Sequence, residues 1–188
     1  QQMLYNVETA AYSHCLVQMI TSREFDKYPE NKYLFMAANQ PKDMDEHPNV
    51  RLSIPVAAVY DSRLAYCGYL YPQPFEDTIS LTYLTTYQRR PMSKSKRFAG
   101  KTEWHDKFER DEVGMKNRFK LLYNISKALH LIPSVYTPAY LTPEDIRITA
   151  KGKISIANLH HSQILATNKY FAPSQSITPD YATKNSKV

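Results

Sequence analysis

Glycine is scarce in this chain: four occur in 188 residues, at Gly68, Gly100, Gly114 and Gly152. None precedes Gly68, which excludes a Gly-rich phosphate loop from the first third, because such loops bring backbone up to phosphate by dispensing with a Cβ. Cysteine is scarcer still. Cys15 and Cys67 stand singly in apolar, strand-like segments, without the Cys-x-x-Cys spacing of zinc sites, and read as buried free thiols. The six histidines are scattered, and the single adjacent pair, His160-His161, would point to opposite sides of an extended segment, so no metal centre is expected. No apolar run approaches a membrane span, and the opening Gln1-Gln2-Met3-Leu4 lacks a charged-then-apolar leader pattern. Those absences argue for a cytoplasmic chain with no membrane contact.

Tyrosine and proline, by contrast, are plentiful, at 15 and 12. A hydrophobic share of 43% and a charged share of 22% are globular values, enough for one domain or two small lobes. The net charge of +6 is concentrated around one loop, where Arg89, Arg90, Lys94, Lys96, Arg97 and Lys101 precede the next acid, Glu103. Such a cluster draws polyanions or a protein partner by releasing counterions, and it equally describes a solvated loop. Between Arg89 and Lys101 the one aromatic residue is Phe98, too few for a base-stacking platform, so nucleic acid is not the expected partner.

Periodicity outlines the elements. Residues 3–7 and 11–20 read as two strands, and Thr21-Ser22-Arg23-Glu24 has capping-box spacing. Pro29 suits the first turn of a helix over 30–38. A polar connector over 41–50 leads to strands at 54–60 and 64–72, joined at Asp61-Ser62, and then to a short helix over 79–84. A long helix ends near Ile132-Pro133. Its apolar positions Met115, Phe119, Leu122, Ile125, Leu129 and Ile132 recur every three or four residues and predict a buried face. After it, Ile146 and Ile148 alternate with polar residues, Gly152 supplies a turn, and Ile154 and Ile156 resume the alternation: a β-hairpin with Asn158 at its exit.

Helix, loop, hairpin and a polar exit residue is the layout of a protein-kinase catalytic centre. Leu141-x-Pro143-Glu144-Asp145-Ile146-x-Ile148 resembles the Leu-x-Pro-x-Asn-Ile-x-Ile of bacterial serine/threonine kinase-like proteins. His47-Pro48-Asn49-Val50, Pro55, Val59-Tyr60-Asp61 and Gly68-Tyr69-Leu70-x-Pro72 resemble their small lobe, and Thr178-Pro179-Asp180-Tyr181 resembles the end of their activation segment. The resemblance implies an α+β, protein-kinase-like bilobal domain. It would have an antiparallel β-rich small lobe over 1–72 and a partial, mainly helical large lobe over 73–188. The large lobe would continue past the residues given, be completed by another chain, a second copy included, or be reduced.

The resemblance also implies that the chemistry is lost. The phosphate-binding lysine falls on Gln18, its ion-pairing glutamate on Glu30, the catalytic base on Tyr140, and the metal ligands on Asp145 and Asn158. Tyrosine, with an ordinary pKa near ~10, is a poor base at neutral pH. Neutral Asn158 is a weak ligand for a hard cation. These substitutions point to a pseudokinase without cofactor, acting as a protein-binding or regulatory scaffold. The alternatives are a nucleotide- or metal-binding enzyme of atypical chemistry, or a basic nucleic-acid module. In the first, Tyr69 and Tyr71 would contact adenine while Asp145 and Asn158 held magnesium with ATP. The bland alternatives are that Gln18 is a polar strand residue, Glu30 an acid near a helix N-terminus, and Asp145 a loop cap bonded to backbone amides.

Overall fold

The computed structural model describes residues 4–6, 10–21, 24–85, 102–109, 111–138, 141–166 and 168–173. They form an α+β fold of three small sheets and four helices. The first sheet is antiparallel, in the order β1 (Leu4–Asn6), β2 (Cys15–Met19), β5 (Tyr66–Pro72), β4 (Ala57–Tyr60). Helix α1 (Glu30–Ala38) follows β2 in the chain and packs on β4 and β5. Its start matches the sequence expectation, with Pro29 as the extended residue just outside the first turn. Thr21 and Glu24 bond side chain to side chain at 2.9 Å as their spacing predicted, inside the turn that precedes Pro29. Gly68 is required where β5 crosses β2, because a Cβ there would stand 2.3 Å from the Gln18 carbonyl oxygen.

The second sheet has the order β3 (Val50–Leu52), β9 (Ile154–Ile156), β8 (Ile146–Thr149), β6 (Thr78–Ser80), and β3 runs parallel to β9. The expected hairpin is present: Ile146 faces Ile156, Ile148 faces Ile154, and Gly152 takes a φ of +80° in the turn. Its isoleucines are buried, Ile148 and Ile156 completely. The third sheet joins β7 (Tyr136–Thr137), β10 (Gln163–Ala166) and β11 (Lys169–Phe171). Short helices α2 (Thr82–Thr85) and α3 (Thr102–Phe108) precede the long α4 (Glu112–His130), which packs on α3 and β9. Asp111 caps α4 by accepting a bond from the Gly114 amide at 2.7 Å.

Several expectations are corrected. The segment 11–20 opens with a 3-10 turn over Ala10–Tyr12 and becomes a strand at Cys15. The connector 41–50 contains a second 3-10 turn, Met44–Glu46, and ends in β3, because the Val50 strand finds a parallel partner in β9. Residues 79–84 divide between strand β6 and helix α2: β6 pairs with β8, and that ladder outweighs the local helical preference. Cys67 is half-buried, its thiol 3.5 Å from the Val59 carbonyl, while Cys15 is fully buried.

The largest correction concerns α4. Its buried face is Gly114, Leu121, Ile125 and Ala128. Of the six positions predicted to line the core, Met115, Phe119, Leu122 and Leu129 are exposed, Phe119 by 67%; Ile125 is buried and Ile132 half-buried. The helix is turned so that Leu121, Ile125 and Ala128 face inward, and its start lies close to the preceding loop: a Cβ on Gly114 would lie 1.7 Å from the Glu109 carbonyl oxygen.

Candidate functional site

Two groups of candidate residues flank the exit of the hairpin β8–β9: Asp145 with Asn158 at its base, and Tyr69 and Tyr71 of β5 against His160 in the turn that follows. Asp145 stands just before β8. Its Oδ2 accepts from the Thr142 amide at 2.7 Å and the Thr142 hydroxyl at 2.9 Å. Its Oδ1 accepts from the Asn158 side-chain amide, and its main-chain carbonyl accepts from the Ala157 amide at 2.8 Å. Thus Asp145 and Asn158 are brought together as expected, with the carboxylate 7% exposed and bonded on both oxygens within the protein. Asn158 takes a left-handed backbone (φ 61°), a conformation asparagine tolerates, and opens the 3-10 turn Leu159–His161.

That turn overturns the expected geometry of the histidine pair. Instead of diverging from an extended strand, both imidazoles are buried with ring centroids 3.9 Å apart. His160 stacks on Tyr71 at 4.9 Å and lies 5.6 Å from Tyr69. Tyr69 in turn stacks face to face on Tyr33 of α1, centroids 4.1 Å apart and planes 3° from parallel. Tyr69 and Tyr71 therefore turn their rings into the interior, Tyr69 with no exposed surface. Their backbones pair with Gln18 and Leu16 in the β2–β5 ladder. Gln18 is buried and donates from its amide to the Met19 carbonyl at 3.1 Å.

Glu30 accepts from the Tyr60 hydroxyl at 2.6 Å, an acceptor role that ties α1 to β4. No bond between Glu30 and Gln18 occurs among the described residues. Tyr140 and the basic positions Arg89, Arg90, Lys94, Lys96, Arg97 and Lys101 lie outside the described residues, as does the segment from Thr178 to Tyr181.

The residue that sequence reasoning passed over is Lys32. It sits two positions after Glu30, on the face of α1 that also buries Tyr33 and Met36, and none of its surface is exposed. Its Nζ donates to the Ala172 carbonyl at 2.9 Å, across the fold. Burial pushes the ammonium down to about 7 from the ordinary 10.5. Burial, His161 and Lys32 hold His160 well below the usual imidazole value, and burial with Lys32 pushes His161 down to about 4. Both rings are accordingly neutral at pH 7. The sequence does contain a signal for Lys32: Tyr33 and Met36 define a helical stripe that flanks it.

Helix α1 is thereby clasped to the third sheet at both ends. Lys32 reaches Ala172 beyond β11, Phe35 meets Phe171 with centroids 5.8 Å apart, and the Tyr136 hydroxyl on β7 donates to the carbonyls of Met36 and Asn39. A cavity of about 550 Å³ lies away from Asp145. There the Arg51 guanidinium and the Lys153 ammonium both lie over the Phe75 ring, 4.2 and 4.9 Å from its centroid. Among the described residues, no three His, Cys, Asp or Glu side chains are grouped to hold a metal, and no helix is long and apolar enough to cross a membrane. No family model matches the chain, and neither does any curated protein or solved structure.

Proposed function

We propose that this chain is a bacterial-type, kinase-like pseudokinase domain that serves as a protein-binding or regulatory scaffold and carries out no phosphoryl transfer. The order of elements supports the reading. Strand β2, helix α1 and strands β4 and β5 follow one another as third strand, regulatory helix, fourth and fifth strands would. The hairpin β8–β9 follows the long helix α4 as the metal-binding hairpin would.

The observation that carries the functional half is the environment of Asp145. Phosphoryl transfer needs carboxylates turned towards a metal and a cation aimed at the phosphates. Here Asp145 is engaged on both oxygens by Thr142 and Asn158. The lysine position holds Gln18, bonded to its neighbour's carbonyl. Tyr69 and Tyr71, the positions that the resemblance would set against an adenine, instead stack on Tyr33 and His160. Helix α1 is tied to the third sheet through Lys32 and Tyr136, which leaves Asn31 and Leu34 on its exposed side.

Two measurements test this. Calorimetric titration with ATP, with and without magnesium, is expected to give no saturable heat. Incubation with labelled ATP and a general acceptor protein is expected to leave no label. Metal-dependent labelling that Asp145→Asn abolishes, in a variant that melts like the parent, refutes the reading and restores an active enzyme.

A further inference from the structure

The two faces of the second sheet differ in chemistry. Strand alternation turns Val50, Leu52, Ile154 and Ile156 towards the core and sets Arg51 beside Ser155 on the opposite face. Lys153 continues that face one step ahead of β9. The segment that follows β5 crosses it. There the Phe75 amide donates to the Ser155 hydroxyl at 3.0 Å, and the Arg51 guanidinium donates to the Gln73 carbonyl at 3.3 Å. The Phe75 ring lies beneath both cations, so Arg51 and Lys153 are held in place before any ligand arrives.

Both cations line the cavity of about 550 Å³, and Lys151 in the hairpin turn adds a third. Its acidic lining comes from other elements: Glu76 and Asp77 follow Phe75 in the chain, and Glu103 stands in the first turn of α3. Among the described residues no ion pair joins the two sets. Opposite charges that share one cavity without touching leave each set able to take a counter-charge from a bound molecule. The volume suits a small molecule. A guanidinium matches the planar or forked oxygens of a carboxylate or phosphate, and it is half-buried here, where such a bond is stronger than in open water.

We propose that this cavity binds a small zwitterion. Its carboxylate or phosphate would rest on Arg51 and Lys153, and its ammonium would face the carboxylates of Glu76, Asp77 and Glu103. A polyanion such as ATP is selected against, because it brings those three carboxylates no cation. Gln18, Asp145 and Asn158 do not line the cavity, so the inference goes beyond the scaffold reading and stands or falls without it.

The test is calorimetric titration of the full chain with two zwitterions, the dipeptide alanyl-alanine and phosphoethanolamine, which separate a carboxylate source from a phosphate one. Acetate, inorganic phosphate and ethylammonium serve as single-charge controls. Saturable heat is expected with at least one zwitterion, at least ~10-fold tighter than with its single-charge controls. Arg51→Gln is expected to weaken that binding at least ~10-fold, and Glu76→Gln, at an exposed position, to weaken it as well. Melting curves check that each variant is folded, and Lys153→Gln replaces Arg51→Gln if the latter is not. Failure of both zwitterions to saturate overturns the inference. Inorganic phosphate binding as tightly as phosphoethanolamine also overturns it, by reducing the site to a simple anion trap. Binding that neither Arg51→Gln nor Lys153→Gln weakens would place the ligand elsewhere and overturn it too.

Discussion

The ammonium of Lys32 lies in the interior, and its ionisation should shape the stability of the whole domain. Burial brings its pKa to about 7, against 10.5 in an unfolded chain. The unfolded state therefore binds more protons than the folded state between those values, and stability must rise with pH across that window. At pH 7 the folded chain is about half-protonated at Lys32, and the mismatch costs it about 4 kcal/mol relative to a neutral side chain. By pH 9 the same cost has fallen to about 2 kcal/mol. Lys32→Met keeps an unbranched chain of similar reach, removes the charge, and forfeits the bond to Ala172, worth about 1 kcal/mol. The variant is expected to be more stable than the parent by about 3 kcal/mol at pH 7, an advantage that narrows to about 1 kcal/mol at pH 9. Urea melts at closely spaced pH values measure the difference. The window stops at pH 9 because burial raises the pKa of Tyr66, Tyr69, Tyr71 and Tyr136, and their linkage has the opposite sign. Stability held by those tyrosines is lost as pH rises above 10. Parallel stability curves for parent and Lys32→Met between pH 7 and 9 would refute the argument and show that Lys32 finds water in the folded state.

The acid side offers a companion test. Because His161 is pushed down to about 4, the unfolded state takes up protons first, and stability present above pH 6.5 drains away as pH falls towards 4, by about 3 kcal/mol. His161→Gln should make that limb shallower in urea melts, with the share held by His160 remaining, and an unchanged limb would place the loss elsewhere. The two faces of α4 separate just as sharply. Leu121→Ala, at a position 3% exposed, should lower stability by about 3 kcal/mol. Leu122→Ala, at 52% exposure, should cost less than ~1 kcal/mol, and equal losses in thermal melts would mean that the exposed stripe is covered in solution.

Local chemistry made part of this legible without coordinates. The bounds of α1 follow from a proline ahead of a run of good helix formers, and the hairpin follows from alternating isoleucines about Gly152, whose positive φ the turn requires. The juxtaposition of Asp145 and Asn158 came with the hairpin, because its two strands have a register that short-range spacing dictates. Strand β6 was not legible, since Thr78-Ile79-Ser80 is extended only because β8 offers a ladder from far along the chain.

Other decisions belonged to tertiary structure alone. Helix α4 carries two apolar stripes a few positions out of phase, and the bulkier one looks like the core side in the sequence. Contact with α3 and β9 selected the side that carries Leu121, Ile125 and Ala128, with Gly114 where the Glu109 carbonyl leaves no room for a Cβ. His160 and His161 look like divergent neighbours until Asn158 turns the chain into a 3-10 coil that sets their rings side by side. Lys32 shares a helical side with Tyr33 and Met36, but its burial depends on Ala172, some 140 residues away, supplying an acceptor for an interior ammonium. Propensity and spacing determined α1, the long helix α4 and the hairpin β8–β9, whereas β3 and β6 became strands through partners far along the chain. Which side of each faces the interior, and which charges end up there, was decided by partners remote in sequence, because burial is a property of the assembled fold.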